Sequence, residues 1–99
     1  VGRSDDRRVA CRFEIRGRVQ GVGYRVWVRD IASARGLVGW VRNRFDGSVE
    51  AQICGEAASV ESFEAAAHAG PPGARVTHVD ATPVDVFDAP TGFEIRATA

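Results

Sequence analysis

Lysine and methionine are both missing from this 99-residue chain, so its thirteen basic residues are all arginine. Without lysine there is no Schiff-base chemistry and no phosphate-loop lysine of the kind many nucleotide hydrolases use. The permanent cation that remains is the planar guanidinium fork, which grips two oxygens of an oxyanion at once. Cysteine is scarce: Cys11 and Cys54 are too few and too far apart for a zinc site or a disulfide framework, and reduced thiols are expected. Net charge is zero, 13 basic residues against 13 acidic ones, which argues against holding nucleic acid through an overall positive field. No apolar run approaches a membrane span, and the polar opening through Asp5, Asp6, Arg7 and Arg8 has no signal-peptide core. No membrane association and a cytoplasmic location are the expectation. Val1 stands where an initiator methionine would, as expected after processing or trimming of the start.

With 44% hydrophobic and 26% charged residues, the composition is that of an ordinary globular domain, and the length suits one domain only. Residues 1–8 are polar and aperiodic and read as a loose tail, leaving 9–99 as the folded domain. Cys11, Phe13 and Ile15 alternate with Arg12, Glu14 and Arg16, the period of a half-buried strand. Gly17 to Tyr24 is glycine-rich and predicts a tight loop. Tyr24, Trp27, Val28, Ile31 and Ala34 recur at helical spacing, and Gly36 supplies a stop near Arg35. Leu37–Asn43 and Ser48–Ile53 read as strands joined by a turn at Asp46 and Gly47. Ser59 is a candidate cap for a second helix with Val60, Phe63 and Ala67 on one face, stopped by Gly70, Pro71 and Pro72. A strand from Arg75 to Val79, continuing towards Phe87, and a short one at Phe93–Arg96 complete the chain. The order βαββαβ plus a short final strand predicts an α+β, ferredoxin-like sandwich: a single antiparallel sheet with both helices packed on one face.

The chemistry is concentrated between Gly17 and Arg25, a glycine-rich loop that leaves a strand and enters a helix. Successive amides in such a loop can face inward as an anion nest, and the helix start adds partial positive charge. The third glycine of a dinucleotide fingerprint would fall at Val26 and is missing, and the nucleotide-hydrolase loop fails for want of lysine. Arg25, at the loop exit, can fold back over a bound anion with two-point, charge-assisted bonds. Blander readings stand beside these. Arg25 can be a solvated first-turn residue, the glycines can serve turn geometry alone, and Asn43 can be a turn residue ahead of the hairpin. Arg16, Arg18, Arg42 and Arg44 either focus anions on the site or serve solubility. His68 and His78 read as surface residues, and Trp27 and Trp40 as core aromatics. If both strands are regular, Cys11 and Cys54 fall on opposite faces of the sheet.

The segments GRVQGVGYR (17–25), GWVRN (39–43) and DGSVE (46–50), followed by GPPGARV (70–76) and GFEIR (92–96), resemble the acylphosphatase family over nearly everything after the tail. The resemblance implies an enzyme that hydrolyses small-molecule acyl phosphates by direct attack of water, with no metal and no other cofactor; a monomer is expected because the whole pattern closes one small domain. It places the phosphate-binding arginine at Arg25 and the water-holding asparagine at Asn43. The phosphate-binding loop then comprises Arg18, Val19, Gln20, Gly21, Val22, Gly23 and Tyr24, the last standing where phenylalanine is common. A similar module opens the hydrogenase-maturation carbamoyltransferases, so a carbamoyl-phosphate-hydrolysing domain is the alternative. RNA-recognition motifs share the topology, but the third strand, SVEAQI, lacks their signature.

Overall fold

A computed structural model describes residues 7–85 and 91–99. The chain forms β1 (Arg8–Arg18), α1 (Tyr24–Ala34), β2 (Val38–Asn43), β3 (Val49–Glu56), α2 (Ala57–Ala69), β4 (Arg75–Val84) and β5 (Phe93–Ile95). One sheet holds all five strands in the order β4-β1-β3-β2-β5. β1 pairs antiparallel with β3 and β4, and β2 antiparallel with β3, while β5 joins β2 in parallel. The sheet is therefore mixed where a wholly antiparallel one was expected. β4 runs opposite to β2, so a chain that leaves β4 and crosses to the free edge of β2 enters alongside it in the same direction.

The alternating apolar residues meet the helices on one face. Phe13 and Ile15 of β1, Val41 of β2, and Val49, Ala51 and Ile53 of β3 pack with Val28 and Ala32 of α1 and with Val60, Phe63 and Ala67 of α2. The rings of Phe13 and Phe63 meet edge to face at 5.2 Å, and burying each contributes about 1.5–3 kcal/mol. Trp27 packs partly buried against this cluster. Trp40 is buried elsewhere: it pairs with Gln52 on the opposite face of the sheet, beneath the guanidinium groups of Arg42 and Arg96.

Local chemistry fixes the element ends. α1 stops as Gly36 predicts: Gly36 N–H donates to Ser33 O and Leu37 N–H to Ala32 O, with Gly36 at φ +71, the paired bonds of a left-handed helix stop. α2 begins at Ala57, two residues ahead of the cap expected at Ser59. β3 runs straight into it, and the Ala57 amide donates to the Arg7 carbonyl at 2.9 Å, so no side-chain cap is required. In the hairpin turn only Gly47 takes positive φ, and Asp46 instead accepts from the Ser48 amide and hydroxyl. β1 also continues past the expected loop start. A register shift against β4 at Arg16/Gly17 lets Gly17 and Arg18 stay paired with Val76 and Arg75. Gly17 sits at φ +124, where an added Cβ would collide with the Arg75 carbonyl. Arg8, assigned to the tail by sequence, pairs with Glu56; residues 1–6, and Phe87 beyond β4, lie outside the described residues. Cys11 lies opposite Ile53 and Cys54 opposite Ala10, on different faces of the sheet, and both thiols are free.

Candidate active site

The loop is built from its two ends. Val19, buried at 1% exposure, pins it to the core immediately after β1. The Gln20 carboxamide then donates to Arg44 O at 2.8 Å and to Ser48 O at 2.9 Å, tying the loop to the turn between β2 and β3. Gly21 and Gly23 take φ of +76 and +78 while Val22 between them does not, an alternation that turns successive amides into a concavity. A Cβ at either glycine would meet nothing within 4 Å; backbone conformation, with open space above it, is what calls for glycine. Gly23 is the residue before α1 and offers no side-chain cap. The first helical amide engaged is that of Trp27, on Gly23 O at 3.1 Å. Among the described residues the amides from Gly21 to Val26 make no backbone hydrogen bond outside a helix or strand, and they sit where the helix dipole is positive.

This segment borders a pocket of ≈ 200 Å³ lined by Val19, Gln20, Gly21, Gly23, Tyr24, Arg25, Val26, Asn43 and Ile95. Loop, helix start and the end of β2 thus converge on one space, smaller than the ~300–1,000 Å³ sites that take drug-sized ligands. Of the residues expected from sequence, Arg18 and Val22 do not line it: Arg18 is the exposed last residue of β1, and Val22 packs against the core. Val26 and Ile95 were not expected. Both are partly exposed, at 47% and 36%, and both present hydrocarbon to the pocket. Val26 is legible as the residue after Arg25, but Ile95 arrives only through the parallel pairing of β5 with Val41.

The backbone around Asn43 is held from several sides. Its carbonyl accepts from Ala99 N–H at 3.1 Å, Phe45 N–H donates to Ala99 O at 2.9 Å, and Arg44 N–H donates to Ser48 O at 2.8 Å. Of the neighbouring arginines, Arg16 pairs with Glu14 and Asp46, and Arg42 and Arg44 pair with Glu50. Arg25 makes no ion pair among the described residues. Asp46 lies below its ordinary pKa because the Ser48 hydroxyl and amide both donate to it. Tyr24 Oη, buried, donates to Ala67 O at 2.7 Å, and burial pushes its phenol well above the ordinary value. The arrangement offers amides and a guanidinium for an anion beside a carboxamide able to hold water. His68 and His78 are exposed and do not line the pocket.

A profile of the acylphosphatase family matches residues 11–95. The chain belongs to the acylphosphatase family. An acylphosphatase of Mesorhizobium japonicum is 45% identical over 93 residues, covering 94% of this chain and 99% of that protein. One of Azoarcus sp. is 55% identical over 84 residues, covering 81% and 86%. The acylphosphatase structure from Coxiella burnetii superposes with a TM-score of 0.86 at 35% identity, covering 90% of this chain and 93% of that one. Full-length HypF, in a phosphate- and nucleotide-bound form, matches with a TM-score of 0.85 at 28% identity, over 93% of this chain but 12% of that chain. The family, the α+β sandwich and the acylphosphatase class read from the motifs all hold.

Proposed function

We propose that this acylphosphatase hydrolyses small acyl phosphates at the pocket between loop and hairpin, with Arg25 and the loop amides holding the phosphoryl group and Asn43 holding the attacking water. The observation that carries this reading is convergence: Asn43, from the end of β2, borders the same small space as the glycine loop and the Arg25 that follows it. An acyl phosphate already has a good carboxylate leaving group, so catalysis reduces to orienting water and stabilising charge on the transferring phosphoryl. Water oxygen bonds to phosphorus as the bond from phosphorus to the acyl oxygen breaks. The carboxylate departs, and both water protons end on the inorganic phosphate. A carboxamide is too weak a base to deprotonate water, so Asn43 acts by position.

The proposed setting is a cytoplasmic monomer. Two free thiols support that reading, and no helix among the described residues is long and apolar enough to cross a membrane. The likeness to HypF favours a second reading, a carbamoyl-phosphate-hydrolysing domain. The acylphosphatases matched over most of their own length make the first reading the stronger.

Benzoyl phosphate hydrolysis tests the assignment. Arg25→Ala and Asn43→Ala each lose at least about 10² in kcat, by analogy with removing one transition-state donor. Arg25→Ala also abolishes inhibition by inorganic phosphate, whereas Asn43→Ala retains it. Near-normal turnover in either variant refutes the roles given.

A further inference from the structure

Trp40 and Arg42 of β2 lie on the sheet face turned away from the helices, Arg44 follows two residues later just past the end of the strand, and Glu50 of β3 stands opposite Arg42. Glu50 is only 5% exposed. Its Oε1 accepts from Arg42 Nε at 2.8 Å and from Arg44 Nη1 at 2.9 Å, and its Oε2 accepts from Arg12 Nη1 of β1 at 3.3 Å. Arg42 is immobilised a second time, its guanidinium 4.8 Å from the centre of the Trp40 ring, which Arg96 also covers at 4.9 Å. Three guanidinium groups converge on one carboxylate, and two of them share a single oxygen.

Stability is a weak reason for such a cluster. Surface ion pairs contribute little, and a buried carboxylate repays its desolvation only when its partners are well placed. Its position is more telling. The two arginines on Oε1 are the sequence neighbours of Asn43, whose side chain projects to the other face of the sheet and lines the pocket. We propose that Glu50 is a positioning residue for the reaction: by clamping Arg42 and Arg44 from behind the sheet, it fixes the backbone at Asn43 and so the aim of the carboxamide. This rests on the reading of Asn43 as the water-holding residue. Among the described residues Arg25 makes no hydrogen bond or ion pair with the cluster, and the glycine loop meets it through Gln20 at the Arg44 main-chain carbonyl and not at a guanidinium, so the clamp bears on water delivery more than on phosphate affinity.

The experiment is a double-mutant cycle of Glu50→Gln with Asn43→Ala, reading benzoyl phosphate turnover and inhibition by inorganic phosphate. Misplacement of a reacting group by about 1 Å costs up to ~10² in rate, so the partial loosening in Glu50→Gln is expected to lower kcat about tenfold while the phosphate inhibition constant stays within about twofold. In the Asn43→Ala background the same change costs no more than about twofold further, because the aim it sets is already lost. Arg44→Gln leaves Glu50 paired with Arg12 and Arg42 and lowers kcat in the same pattern, which keeps the inference testable should Glu50→Gln fail to fold. Arg12→Gln, bonded to Glu50 but remote from Asn43, keeps kcat within about twofold. Full kcat in Glu50→Gln, an undiminished loss in the Asn43→Ala background, or phosphate inhibition weakening in step with kcat overturns it. Normal turnover in Asn43→Ala alone overturns the reading of Asn43, and the role of Glu50 with it. That result is distinct from an inert Glu50 beside an essential Asn43.

Discussion

Tyr24 joins three things at one position: it opens α1, precedes Arg25, and sends its hydroxyl 2.7 Å to the carbonyl of Ala67 in the last turn of α2. The final carbonyls of a helix have no partner inside it, so the phenol supplies what α2 lacks and fixes the start of α1 against it. Tyr24→Phe keeps the ring but strands that buried carbonyl, a loss of roughly 1–2 kcal/mol. The thermal midpoint is expected to fall by about 4–8 °C per kcal/mol for a domain of this length, with kcat nearly unchanged below the transition. A midpoint equal to the parent's would show that the bond contributes nothing. The hydroxyl's need for a partner follows from its burial. Its identity does not, because Ala67 is 43 residues away and offers only a main-chain oxygen.

Among elements, the decisive contact is between the loop and the β2–β3 hairpin, and Gln20 alone supplies its side-chain bonds among the described residues. Gln20→Ala removes both, while Arg44 O keeps the Gly47 amide at 3.1 Å and Ser48 O keeps the Arg44 amide at 2.8 Å. Unlike Glu50→Gln, it loosens the glycine loop proposed to hold the phosphoryl group, so kcat/KM is expected to fall about tenfold or more and phosphate inhibition to weaken with it. Kinetics with phosphate as the competing ligand separate the two variants, and unchanged phosphate inhibition in Gln20→Ala would count against the tether. Glycine spacing, apolar period and Gly36 made β1, α1 and the hairpin strands legible in sequence, because each depends on local sterics. The bulge that holds Arg18 in β1, the uncapped start of α2 and the parallel β5 were not legible. Each is set by a partner strand or a main-chain carbonyl distant in sequence. Arg25 and Asn43 were singled out by their motifs and both line the pocket, which Ile95 reaches only through that parallel pairing.

In the molecule as a whole the sheet separates two environments, an apolar face carrying helices and pocket and an ionic face centred on Glu50. The ionic face makes the fold sensitive to acid. Burial pushes the Glu50 carboxyl upward, but hydrogen bonds from Arg42, Arg44 and Arg12 outweigh it and hold the group below its ordinary pKa; Asp46 is lowered through Ser48. With folded values below unfolded ones, the unfolded chain binds more protons at intermediate pH, so stability rises with pH there. The contribution is fully present above the unfolded pKa, about 4 to 4.5, and is lost as pH falls through the lower folded values. Thermal midpoints are therefore expected to be level from neutrality to about pH 5 and to drop below about pH 4. Glu50→Gln cannot titrate at that position: its midpoint starts lower at neutral pH and declines less steeply, so the two curves approach each other in acid. Parallel curves would mean that the three arginines hold Glu50 no more tightly in the folded protein than water does in the unfolded chain.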